Sequence, residues 1–312
     1  MKITRIIQLS FFLILSMGIA LSGCKKEEDT PEPSPNNGSS SVQQVSQDDN
    51  FQQKFSDDIM NDVEGVLSSG SQRSVEWLPC NATIDSANVI DDTITYFITY
   101  NGLNCIRTLY RTGNVEVKSK FGESWHDAGA TVIVTIINYQ VTNVYTGETA
   151  VVNGNKTHTN VTGGYLVQLG YGISEIIHKT TGFMTINFDN STNRTWNVAR
   201  RKVFTGTLGD FTVAVNGFGQ SGTYSNLETW GVTRAGDQFY ISIPQSIEIK
   251  ESCGWDPVAG VENIDIPSAS TGATLTFGFD SNNQPIQPGD CPAKYKLDWY
   301  VNNSSGTIFL WL

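Results

Sequence analysis

From residue 90 onward the chain alternates apolar and polar residues and rarely departs from that period of two. "DTITYFITY" (92–100) sets Ile94, Tyr96, Ile98 and Tyr100 on one face and Thr93, Thr95, Phe97 and Thr99 on the other. Successive side chains of a strand point to opposite faces, so this is the signature of a β-strand. Similar segments recur at 114–119, 148–153, 156–168, 182–188, 194–204, 210–217, 222–233, 238–250, 272–280, 293–301 and 306–312. "ATVIVTIINYQV" (130–141) is apolar on both faces and predicts a strand covered on both sides. Turn chemistry separates the segments at Asn153-Gly154, Thr205-Gly206 with Leu208-Gly209 just after it, Ala235-Gly236-Asp237 and Asn302-Asn303-Ser304. No helical pattern lies between them, which rules out parallel βαβ units. The expected fold is mainly β: a large antiparallel sheet or sandwich over 71–312.

One segment has a different period. Phe51, Phe55, Ile59, Val63, Val66 and Leu67 recur every three to four residues and predict a short amphipathic helix over 48–70, its pattern ending at 68. Asp48 or Asp49 can cap its start and Gly70 lies just past its end. Its apolar stripe is a core face to be laid against the sheet.

The N-terminus reads as an address. Lys2 and Arg5 precede an apolar run over 6–21, which is short of the roughly 20 residues that span a bilayer. Leu21-Ser22-Gly23-Cys24 then fits a bacterial lipobox, so 1–23 is expected to be a signal peptide and Cys24 the lipid-attachment residue. Acyl chains on Cys24 would tether the protein to a membrane without spanning it. Lys25, Lys26, Glu27, Glu28 and Asp29 follow and read as an export tag toward the outer face of the outer membrane. Residues 24–47 are polar, with Val42 and Val45 the only two apolar side chains after Cys24, and predict a lipid-anchored disordered linker. The net charge of −11 argues against nucleic acid as a partner.

An exported chain with four further cysteines, Cys80, Cys105, Cys253 and Cys291, points to two disulfides. Three pairings are open; the local one, Cys80 with Cys105 and Cys253 with Cys291, is preferred. Each bridge would contribute roughly 3.5–4 kcal/mol by restricting the unfolded chain. "TITYFITYNG" (93–102) also aligns with "TLTFGFDSNN" (274–283), each between its two cysteines, which suggests a weak internal duplication. Each is expected to be followed by a strand, a glycine (Gly113 or Gly306) and another strand.

With these pieces in place the chain resembles a family of uncharacterised Bacteroidota surface lipoproteins. The matching features are Cys24 with its acidic tag, the 48–68 helix, the Cys80 to Cys105 unit, "NRTWNVARRK" (193–202) and the segment from Cys253 to the end. The resemblance implies an outer-membrane, surface-exposed location and carries no activity with it.

No catalytic, cofactor-binding or metal-ligating set emerges. His126, His158 and His178 are scattered, and each reads as structural or surface-exposed. "GFGQSG" (217–222) matches a nucleotide-loop pattern, but strand pattern continues on both sides, so it reads as a β turn. Aromatic residues are the better lead: Trp125, Trp196, Trp230, Trp255 and Trp299 are candidates for stacking on a ligand ring, with core packing as the alternative for each. The expected function is a non-enzymatic binding module, with a glycan as the ligand class the aromatics suggest. A polysaccharide hydrolase and a structural partner of an outer-membrane protein complex are the alternatives. Two facing carboxylates in a cleft would favour the hydrolase.

Overall fold

The computed structural model describes residues 37–68, 79–188 and 192–312. The expected signal peptide over 1–23, Cys24, the expected export tag at 25–29, the first part of the expected linker and Gly70 lie outside the described residues.

Among the described residues, fifteen strands follow one α-helix, α1 (Asn37–Ser68). They are β1 (Ala82–Ile90), β2 (Thr93–Leu103), β3 (Leu109–Lys120), β4 (Ala130–Asn143), β5 (Thr149–Asn160), β6 (Ile176–Phe188) and β7 (Asn193–Thr207). After these come β8 (Asp210–Gly217), β9 (Gly219–Ser221), β10 (Tyr224–Val232), β11 (Gln238–Lys250), β12 (Asp256–Ile266), β13 (Thr271–Phe279), β14 (Lys294–Val301) and β15 (Ser304–Trp311). All belong to a single antiparallel sheet. β1 to β7 and β11 to β15 pair in chain order, as hairpin-connected strands do. Between β7 and β11 one place in the sheet is shared end to end. β10 pairs with Thr195 to Val198 of β7, and β8 pairs with Arg200 to Thr207.

The sheet curls around the helix. Val42, Val45, Phe55, Ile59, Val63 and Val66 of α1 are buried in one cluster with inward residues of β2 to β7 and β11 to β14. This corrects the expected linker: the helix begins at Asn37, inside the segment read as disordered. Val42 and Val45 are its first buried residues, 0% and 1% exposed. They continue the 51–66 stripe backward at helical spacing, and the sheet supplies the burial that the local composition does not. Asp48 and Asp49 are consequently mid-helix acceptors and not caps. Asp48 pairs with Arg194 Nη1 at 2.7 Å, and Asp49 accepts from Thr229 Oγ1 at 3.0 Å. One helical turn apart, Asp58 and Asp62 both lie 2.6 Å from Arg111 Nη1. The motif "NRTWNVARRK" thereby acquires a role: Arg194, Trp196, Val198, Arg200 and Lys202 alternate onto the inner face of β7, toward the acidic helix.

Further sequence readings change. Asn153-Gly154 is not a turn: β5 runs through it, with Gly154 at φ 151° and the backbone of Phe183 packed where a Cβ would stand. β4 is covered on one side only, because α1 occupies the concave face and leaves Ile133 and Ile137 exposed on the other. Both disulfides form in the local pairing, with Cα separations of 5.1 and 5.2 Å. Each brackets a hairpin, β1–β2 or β12–β13, near one end of the sheet order. The proposed duplication extends no further by this criterion, since Gly113 lies inside β3 and Gly306 inside β15 rather than between strands.

Candidate functional site

The curl of the sheet leaves cavities beside α1, and Trp255, Asp57 and Ile249 line two of them. Trp255 owes its place to a short irregular stretch. After β11 the chain makes one 3-10 turn over Glu251–Cys253, and Gly254 follows in the left-handed region at φ 72°. Trp255 is left-handed too, at φ 68°, a conformation that is an outlier for a bulky side chain. Its backbone N–H donates to Lys250 O at 2.9 Å, and the Cys253–Cys291 bridge anchors the turn. A strained, stapled backbone thus holds an indole that is 49% exposed against two cavities. Strain of this kind concentrates at functional positions.

The larger cavity encloses about 540 Å³. Lys156 and His158 of β5, His178 of β6, and Arg200 and Lys202 of β7 face Asp57 and Glu64 of α1 across it. Lys202 Nζ meets Asp57 Oδ1 at 3.0 Å, and Lys156 Nζ donates to Ser56 Oγ. Burial, then the charge of Arg200, pulls the Lys156 ammonium down to about 7. Burial foremost lowers His158 to about 3 and His178 to about 4, so both rings are neutral at pH 7. Thr180 Oγ1 lies 3.0 Å from His158 Nδ1, and the His178 ring sits 5.3 Å from that of Trp125 and 5.1 Å from that of Phe204.

The second cavity, about 490 Å³, is acidic. Asp49, Asp57, Glu228, Asp256 and Glu262 line it, with Lys54 the one cationic side chain among its lining residues. Glu228 accepts from Arg200 Nε, and both are buried. Glu262, 8% exposed, stands on the inward face of β12 in alternation with Val258, Ile264 and Ile266. Burial, then the charges of Glu228 and Asp49, holds its carboxyl well above the usual carboxylate range. Aromatic side chains line the same cavity: Trp255, Phe277, Tyr295 and Trp311.

Of the five predicted stacking residues, only Trp255 is both exposed and on a cavity. Trp125 lines the larger cavity but is 5% exposed. Trp196 is fully buried, with its Nε1 donating to Asp49 Oδ1 at 3.3 Å and the Arg194 guanidinium 3.8 Å over its ring. Trp230 and Trp299 are half-buried against Gly219 and Gly306, where a Cβ would strike their rings. Sequence reasoning missed Glu262, Lys156 and Trp311. It also missed the joint placement of His158 and His178, read singly as structural or surface-exposed. The alternation of β12 carries the signal for Glu262, a carboxyl on a face it shares with Val258, Gly260, Ile264 and Ile266. Among the described residues, no group of three or more His, Cys, Asp or Glu is placed to hold a metal ion.

No family model, curated protein or solved structure matches the chain.

Proposed function

We propose that the protein is a lipid-anchored, surface-exposed binding protein whose ligand lies against Trp255, with a glycan as the ligand class. The observation that carries this reading is the strained, disulfide-anchored presentation of a half-exposed indole between two cavities of about 490 and 540 Å³. Cavities of this size suit a small ligand, and an indole face with polar groups around it is the chemistry that stacks and hydrogen-bonds a sugar ring. Screening the protein against an oligosaccharide array tests it. At least one glycan should bind, and Trp255→Ala should weaken that binding tenfold or more with an unchanged melting curve. Binding that survives the substitution would remove Trp255 from the site.

A polysaccharide hydrolase is the second reading. It is favoured by Glu228 and Glu262, two buried carboxyls in the wall of one cavity, both held above the usual range by burial first. Release of reducing ends from a bound glycan, lost in both Glu228→Gln and Glu262→Gln, would establish it over the binding module.

The membrane address is part of the proposal and rests on Leu21-Ser22-Gly23-Cys24 and the charges that follow. Cys24→Ala should release the protein from the membrane fraction. Replacing residues 25–29 by Ala should keep it membrane-bound and protect it from protease added to intact cells. Unchanged protease sensitivity would remove the export tag from the account.

A further inference from the structure

Four of the carboxyls in the acidic cavity have a partner or access to solvent. Asp57 pairs with Lys202, Glu228 with Arg200, Asp49 accepts from Trp196 and Thr229, and Asp256 is half-exposed. Glu262 takes no hydrogen bond and no ion pair among the described residues, and its side chain is more than nine-tenths buried. Its register partner on β13 is Leu275, and its own strand continues inward with Ile264 and Ile266. An aliphatic side chain there would fill the core without a desolvation cost. The carboxyl instead lines a cavity that it shares with four aromatic side chains, Phe277, Tyr295, Trp255 and Trp311. Ring faces and carboxylates attract the same kind of ligand, a cation. An anionic ligand would be repelled by the lining, and a neutral one would forgo the attraction that the acidic groups and the rings offer a cation.

We propose that this cavity seats an organic cation, a protonated primary amine carried on a ring, with Glu262 as its counter-ion and the aromatic side chains around its body. Resting on the glycan reading, this makes the ligand an amino sugar. In the empty cavity Glu262 keeps its proton, because burial and the charges of Glu228 and Asp49 oppose its ionisation. An arriving ammonium draws that proton off into solvent, so binding releases a proton and strengthens as pH rises from 5 to 7. The groups that face Glu262 are Asp49, Asp57 and Lys54 of α1, Arg200 of β7, Glu228 of β10, Tyr295 of β14 and Asp256 of its own strand.

The test is calorimetry on the full chain with three probes: a glucosamine dimer, its N-acetylated counterpart, and cyclohexylamine, run in two buffers of different ionisation enthalpy. The dimer should bind at least tenfold more tightly than the acetylated form and release about one proton. Glu262→Gln should cost tenfold or more and abolish the proton release. It should leave the melting temperature unchanged or raised, which separates lost binding from lost folding. Equal or better binding of the acetylated dimer would overturn the amine site and leave the glycan reading standing. Binding of cyclohexylamine alone would support the amine site and overturn the glycan reading. Undiminished binding to the Glu262→Gln variant, or no binding of any probe, would overturn the proposal.

Discussion

Glu262 on β12 stands in register with Leu275 on β13, and both side chains are buried on the inner face of the sheet. A carboxyl in that position, even protonated, forgoes the hydrogen bonds that water gives it in the unfolded chain. Glu262→Leu should therefore raise the free energy of unfolding by roughly 1 kcal/mol or more. Urea denaturation measures it. A fall in stability would mean that the carboxyl is structurally required.

The helix is held by charge as well as by apolar contact. Arg111, 1% exposed, meets both Asp58 and Asp62. Arg111→Ala strands two carboxylates against the sheet and should cost about 3–5 kcal/mol. A loss below about 1 kcal/mol in the same denaturation experiment would place the clasp among weak surface pairs.

Stability should depend on pH through the histidines of the larger cavity. Unfolded imidazoles protonate as pH falls through about 6.5, whereas native His158 and His178 stay neutral down to about 3 and about 4. The unfolded state thus binds more protons in that window. The stabilisation is fully present above about pH 6.5 and is lost as pH falls toward 4. The loss should amount to a few kcal/mol. A variant carrying His158→Asn and His178→Asn should show a flatter stability profile between pH 7 and 5. An identical slope in both proteins would contradict the buried neutral rings.

The two disulfides should separate stability from binding. Removing either pair by Cys→Ser substitution should cost about 2–4 kcal/mol. Removing Cys253–Cys291 should also weaken ligand binding, because Trp255 lies two residues from Cys253 on the turn that the bridge anchors. Removing Cys80–Cys105 should leave affinity unchanged. Equal affinities in the two variants would show that the bridge does not position the indole.

Much of the fold was legible because period-two alternation survives almost unbroken from 93 to 311, and because the cysteine pairs are local. The helix start was not. Val42 and Val45 are two apolar residues in a polar segment, and only the sheet folded around them makes that segment worth ordering. The pairing of Asp48, Asp58 and Asp62 was not legible because their partners, Arg194 and Arg111, come from distant strands. Four of the five tryptophans proved to be packing residues for the same reason: exposure is decided by what crosses above a strand. Trp255 alone carried a local mark, since it follows Cys253-Gly254, where a turn and a staple coincide.

The most direct test of the central claim is a ¹⁵N NMR titration that follows the indole N–H signals of the seven tryptophans. Trp255→Phe and Trp311→Phe identify the two signals of interest, and the glucosamine dimer is the ligand. The account predicts that the Trp255 and Trp311 signals shift together and saturate, while that of Trp196, buried beneath Asp49, shifts least. Saturable binding that leaves Trp255 unmoved would contradict it.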